Sequence, residues 1–323
     1  MNESTPRPKE RLLRILVCIL AILSLLTAFT YMLFEIVKDS NVTKRLLLEA
    51  FMESEKAPAD TVSQDTTTKP DTADTEAPPY RDLVAVDLSQ NAQTIDNATA
   101  YVIDEEALLA YTFPKHLFDT RPMILIYHSD PTAAYFPEAE SRVPSDYTFQ
   151  SHSDTVVTVG NALADVLRSA GIASIHLTEP LEDVASVLDT YRATYPSIRY
   201  CLDLRRDGIY TTDGQIVKSE GTIDKTPTAQ LLLAVGAGCP NWQKNLSGAY
   251  QLATLLRQAS STVIRPVLLR PETLGQQSDI LHLTLFVGTT GNTVNEATAS
   301  ARFFARYLAL FILSNCGVDG SVP

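Results

Sequence analysis

The chain has 323 residues, of which 45% are apolar and 20% charged, and its formal net charge is -12. That balance, with a sequence pI near 4.9, argues against a nucleic-acid partner, because phosphate binding needs clustered Lys and Arg and no basic stripe is present. The four cysteines have no C-x-x-C spacing, so they carry no zinc or redox signature. Cys18 falls in an apolar run, Cys201 in a strand-like run, and Cys239 and Cys316 are far apart, so no disulfide pairing follows.

In chain order, residues 1–14 form a short basic tail with Arg7, Lys9, Arg11 and Arg14. Residues 15–34 are then uncharged and mostly apolar. At the helical rise of 1.5 Å per residue, twenty residues span about 30 Å, the thickness of a bilayer core. A cleaved signal peptide has a shorter apolar region, about 7–15 residues, that ends in small residues. Here the run ends Tyr31, Met32, Leu33, Phe34 and is followed by Glu35. The expectation is therefore one transmembrane signal anchor, its basic tail held in the cytoplasm and the remainder carried across the membrane.

Residues 35–79 read as a juxtamembrane segment and linker, with a short helix over 41–52. From 57 to 79 the composition shifts to Thr, Asp, Ala and Pro. Such a stretch buries too little apolar surface to offset its ordering entropy, and is expected to be a disordered spacer. Residues 80–318 are then one domain, roughly 240 residues and enough for a well-packed core, with a tail over 319–323.

Within the domain, 123–127 is a continuous apolar run, as in a doubly covered strand. The spacing of Val159, Leu163, Val166 and Leu167 predicts a helix over 156–170, capped by Ser153 or Asp154 and ended by Gly171. Strands are expected at 172–176, 198–204, 230–235 and 281–287, and helices at 181–195 and 242–258. Thr293-Val294-Asn295-Glu296 is a capping box that starts a last helix through about 314. Strands alternating with helices of this length predict an α/β fold: a mixed, mostly parallel sheet with helices on both faces.

In such sheets sites form at the carboxyl ends of strands. Those ends present residues 128–133, His176, residues 203–208 and residues 286–288. Each has a bland reading as well. His128 and His176 are satisfied as hydrogen-bonded structural residues, and Asp203 and Asp207 as caps of turns around Gly208. His116, His152 and His282 have nothing in the sequence to bring them together. Trp242, near a helix start, reads as core rather than as a sugar platform.

Five segments in order carry a family resemblance. They are Ile124-Leu125-Ile126-Tyr127-His128-Ser129; Val157-x-Val159-Gly160-x-x-Leu163 with Gly171-Ile172 and His176; Asp203-Leu204-Arg205-Arg206-Asp207; Val235-Gly236, Pro240-x-Trp242 and Asn245-Leu246; and Val287-Gly288 with Asn292-Thr293-x-x-Glu296-Ala297. From about residue 83 to 318 the chain resembles the sporulation stage II protein P family, membrane-anchored N-acetylmuramoyl-L-alanine amidases and endopeptidases with a zinc-amidase-like fold. The resemblance implies peptidoglycan as partner, together with the membrane and other septal wall-remodelling proteins of sporulation stage II.

The resemblance breaks at the chemistry. The family's turn reads approximately His-Thr-His-Thr-x-Glu; here Asp130 replaces the second His and Ala133 the Glu. Arg205 stands where the family has the His of Asp-Ile-His-Arg-Asp, and Phe286 where it has the Glu before Val-Gly. A hydrolytic zinc site needs about three protein ligands and an open position for water, and a carboxylate takes the water's proton. Ala133 and Phe286 do neither, and Arg205 is permanently charged and repels a dication. The expectation is a catalytically silent relative that binds wall or partner proteins through His128, Asp130, His176, Asp203, Arg205, Arg206 and Asp207, with no metal and no cofactor. Arg205 is expected to sit in the metal's space with Asp130 as its partner, and Asp203 or Asp207 in reserve. Two alternatives stay open. One is an active zinc amidase or endopeptidase with a site rebuilt from His128, Asp130 and His176. The other is an envelope structural scaffold.

The topology is testable. Protease added to intact protoplasts is expected to remove everything from about residue 80 onward; protection would place the domain on the other side.

Overall fold

The computed structural model describes residues 80–89, 94–151 and 153–317. The expected anchor at 15–34, the helix at 41–52, the spacer at 57–79, His152 and the tail at 319–323 lie outside the described residues. Among the described residues, no helix is long and apolar enough to cross a membrane.

The main sheet has seven strands in the order β2-β11-β10-β12-β7-β4-β6. These are β2 (Ile95–Asn97), β4 (Ile124–Tyr127), β6 (Ser174–His176), β7 (Tyr200–Asp207), β10 (Leu231–Gly236), β11 (Val267–Arg270) and β12 (Leu281–Thr289). Every neighbouring pair is parallel except β10 with β12. The expectation of a mixed, mostly parallel sheet is met, and direction reverses once, in mid-sheet.

Strand alternation divides this sheet into two unlike faces. Ile124, Ile126, Leu202, Leu204, Leu283, Leu285, Leu231 and Leu233 share the larger core. Three helices bury their apolar stripes there: α2 (Val156–Ser169), α4 (Trp242–Ala259) and α5 (Val294–Ser314). Ahead of them, α1 (Glu105–Ala110) packs against α4. The opposite face carries Leu125, Tyr127 and Cys201, covered by Leu188 of α3 (Val184–Thr194). Helices thus lie on both faces, unevenly.

The start of α2 corrects the sequence reading. Its cap is Thr155, whose hydroxyl accepts from Val157 N–H, and not Ser153 or Asp154. Asp154 has φ of 55°, so the chain turns at that residue and only the next one stands extended before the helix, as a cap must.

A second sheet, of four strands, was not anticipated. Its order is β5-β1-β8-β9, from β1 (Tyr80–Val86), β5 (Arg142–Pro144), β8 (Ile216–Ile223) and β9 (Thr226–Ala229). It is joined to the end of β12 through Asn292. That buried amide accepts from Thr289 N–H at 2.9 Å and Ser219 Oγ at 3.0 Å, and donates to the Ser219 carbonyl at 3.0 Å and to Glu296 at 3.0 Å. Gly288, with φ of 67°, makes room: an added Cβ would stand 2.8 Å from Asn292 Oδ1. A short pair, β3 (His116–Leu117) and β13 (Cys316–Gly317), completes the described strands. Cys201, Cys239 and Cys316 are free thiols.

The capping box is present in full: Thr293 Oγ1 accepts from Glu296 N–H, and Glu296 accepts from Thr293 N–H. Thr293→Ala is expected to cost about 1 kcal/mol of stability. An unchanged denaturation midpoint would show that this box does not hold the helix start.

Candidate functional site

The polar residues gather at the carboxyl ends of β4, β6 and β7. Their hub is Asp203, which is fully buried. It accepts from Ser129 N–H at 3.1 Å and Ser129 Oγ at 2.8 Å, so the turn after β4 is tied to β7. Arg205 supplies the counter-charge, donating Nε–H to Asp203 Oδ2 at 2.6 Å and pairing again through Nη2. Phe286, opposite Arg205 in the sheet register, lies with its ring 5.9 Å from the guanidinium carbon. Asp203 is therefore the partner of Arg205, and Asp130 is not. Asp130 is exposed and accepts from Thr132 N–H and Oγ1 within its own turn. The two-residue spacing on β7 puts Asp203 and Arg205 on one face, whereas Asp130 is spent on local turn bonds.

Beside this pair, Tyr127 and His282 stand 3.0 Å apart, hydroxyl to Nε2. Burial pushes the Tyr127 phenol up, with Asp203 and Cys201 adding to it. Burial also lowers His282 to about 3, helped by the Arg205 charge, and keeps it neutral.

His128 and His176 lie on the other face. His128 donates Nδ1–H to the Leu204 carbonyl at 2.8 Å, which leaves its Nε2 as acceptor 2.7 Å from Nε2 of His176. Nδ1 of His176 is 3.1 Å from Asn161. Gly160 of α2 presses on the pair: an added Cβ would sit 2.6 Å from His176 Nε2 and 3.0 Å from His128. Burial lowers both imidazoles to about 4, and His128 further lowers His176. Ala133 is buried in the same core, on a bridge to Gln150. The sheet thus separates the histidine pair from Arg205 and Phe286.

Arg206 points its fork at Thr290 Oγ1 and the Asp207 carbonyl through Nη1, and at the Phe149 carbonyl through Nη2 at 3.4 Å. Asp207 pairs with Arg265 at 2.8 Å and accepts from Gly208 N–H, as its capping role predicts. Trp242 stacks on Tyr101, with 4.7 Å between ring centroids, and is packed against the core.

Hydrolytic zinc asks for about three converging donors. Among the described residues, no group of three or more His, Cys, Asp or Glu stands together to hold a metal ion. His128 and His176 direct their Nε2 atoms at each other, and Arg205 occupies Asp203. The donor set in this arrangement does not fit the zinc site implied by the resemblance.

These features define a mixed-sheet α/β domain with a strand-end polar cluster. The model of the stage II sporulation protein P (SpoIIP) family matches residues 25–309, and the chain belongs to that family. That description places it among proteins of sporulation stage II. No curated protein matches the chain. Among solved structures it is similar to the N-acetylmuramoyl-L-alanine amidase AmiC2 of Nostoc punctiforme, at 12% identity over 59% of this chain and 96% of that one, with a TM-score of 0.34. It is similar to the N-acetylmuramyl-L-alanine amidase of Mycobacterium smegmatis, at 10% identity over 61% and 98%, with a TM-score of 0.38. It is also similar to the CwlD amidase of Clostridioides difficile, in complex with the GerS lipoprotein, at 10% identity over 59% and 98%, with a TM-score of 0.33.

The neutral histidines give a pH dependence. Their folded values lie below the ordinary 6.5, at about 4 for His128 and His176 and about 3 for His282. A depressed histidine contributes stability that is full above pH 6.5 and is lost as pH falls toward the folded value. The denaturation midpoint is expected to fall between pH 6.5 and 4, and to fall less steeply in His176→Gln. Identical pH profiles for the two proteins would refute the buried neutral pair.

Proposed function

We propose that this chain is a membrane-anchored SpoIIP-family protein that binds peptidoglycan at its strand-end cluster without cutting it. The observation that carries this reading is the Arg205–Asp203 pair, seated against Phe286 where the family has a histidine and a carboxylate. A guanidinium stays charged at any physiological pH and repels a dication. Ala133 and Phe286 supply neither a ligand nor a proton acceptor. The cluster retains donors and charges suited to holding a polar, carboxylate-bearing polymer. The apolar run at 15–34 supports anchorage, with the domain outside the cytoplasm. Septal wall-remodelling proteins of sporulation are the partners this reading expects.

The purified chain is expected to hold no stoichiometric zinc, to release no peptide from peptidoglycan, and to cosediment with isolated sacculi. Arg205→His alone should restore no activity, because Ala133 and Phe286 remain. One tightly held zinc per chain, with chelator-sensitive amidase activity, would establish the active-enzyme alternative. Failure to cosediment with sacculi would leave the structural-scaffold alternative.

A further inference from the structure

The main sheet ends on β2, with three strands between it and β7. β2 is bonded on one side, to β11. There the Thr94 carbonyl accepts from Val267 N–H, and Ala98 N–H donates to the Leu269 carbonyl, each at 3.0 Å. Backbone groups alternate from side to side along a strand, so the N–H and C=O of Ile95 and Asn97 point away from the sheet. An edge of this kind is a template on which another extended chain can pair.

Beside that edge lies an open cavity of about 540 Å³, whose walls include Ile95, Asn97, Tyr101, Val102 and Glu105. Its rim is apolar: Val102 is 98% exposed and Tyr101 52%. The rim is also held in place. Tyr101 stacks on Trp242, and its carbonyl accepts from Asn97 Nδ2–H at 2.8 Å. Asn97 Oδ1 accepts in turn from Thr99 N–H and Oγ1. Around the rim the surface is acidic, with Asp96, Asp104, Glu105 and Glu106 all exposed. Asp96 is paired with Arg270 at 3.6 Å; among the described residues, Asp104, Glu105 and Glu106 have no ion-pair partner. Asp104 caps α1, and Glu105 accepts from Thr94 Oγ1 and the Tyr250 hydroxyl, so both carboxylates are fixed beside the edge.

We propose that the outer edge of β2 is a docking site for an extended segment of a partner protein, one in which apolar and basic side chains alternate, and that this segment adds to the main sheet as a further strand. Its backbone bonds to Ile95 and Asn97, which gives affinity without regard to sequence. Its apolar side chains meet Val102 and Tyr101, and its Lys or Arg side chains meet the carboxylates, which gives selectivity. A second copy of this chain is a poor occupant. It would bring the same four carboxylates against these four, in a chain whose formal net charge is already -12. A short edge strand among like charges is protected against its own kind, and it stays open to a segment of opposite charge. This docking is independent of the strand-end cluster and of wall binding.

The test titrates the full chain in detergent and follows the fluorescence of Trp242, the single tryptophan of the chain and the stacking partner of Tyr101. The probe is an end-blocked peptide of alternating Lys and Val. One control is the same peptide N-methylated at alternate residues, which removes the edge hydrogen bonds; the other carries Glu in place of Lys, which reverses the charge. The Lys–Val peptide is expected to bind about 10-fold more tightly than either control. Val102 is almost fully exposed, so Val102→Ser should fold normally and weaken the Lys–Val peptide by about 5-fold. Absence of a saturable signal with the Lys–Val peptide would overturn the proposal. Equal affinity for the N-methylated form would overturn strand addition, and equal affinity for the Glu form would overturn the charge match. A dimer in sedimentation that is lost in Val102→Ser would assign the edge to a second copy of the chain instead.

Discussion

A carboxylate with no exposure to solvent sets the terms for this domain. Asp203 lies in the middle of the sheet, and its charge has to be matched where it stands. The match comes from the turn after β4, through both Ser129 donors, and from Arg205 two residues further along β7. Stripping one partner from a buried ion pair costs roughly 3–5 kcal/mol, because the other charge is left alone. Arg205 therefore stabilises the strand ends, at a position where the resemblance implies a histidine. A change of residue there is a change to the core as well as to the chemistry.

The same sheet keeps two polar groups apart. Alternation along β4 and β7 sends His128 toward α2, where it meets His176 beneath Gly160, and sends Tyr127, Asp203 and Arg205 the other way. Each set is satisfied within itself. The histidines are held neutral by burial, and the ion pair is closed by Ser129. Arg206, further along β7, has its Nε buried without an acceptor.

The position of the second sheet depends on a different constraint. The end of β12 has to turn, and Gly288 permits the turn with a positive φ. Asn292 then takes up the backbone groups of Thr289 and Ser219, and the adjoining capping box starts α5. One buried amide thus links β12, β8 and α5. Lys218 of β8 pairs with Glu296 of the box and reinforces the link.

Local signals were legible in the sequence. The apolar run of β4, the stripe of α2, the start of α4 at Trp242 and the box at Thr293 all depend on residues within a few positions of one another, so pattern and capping chemistry suffice to read them. The mixed, mostly parallel sheet followed from their alternation. Tertiary structure decided what the chain's distant parts do to each other. In the second sheet β5 and β9 are short, with 3 and 4 residues, and β1 pairs with β8 across more than a hundred residues, so no local signal announces the sheet. Thr155 became the cap because Asp154 adopts a positive φ. Asp203 took Arg205 because strand alternation gives i and i+2 one face, while Asp130 faces its own turn. His128 and His176 met because their strands are neighbours in the sheet, 48 residues apart in the chain. Sequence alone determined the elements whose signals are local. Packing determined which charges are paired, because pairing is settled by the direction of side chains across a sheet, and that direction is set by neighbours far along the chain.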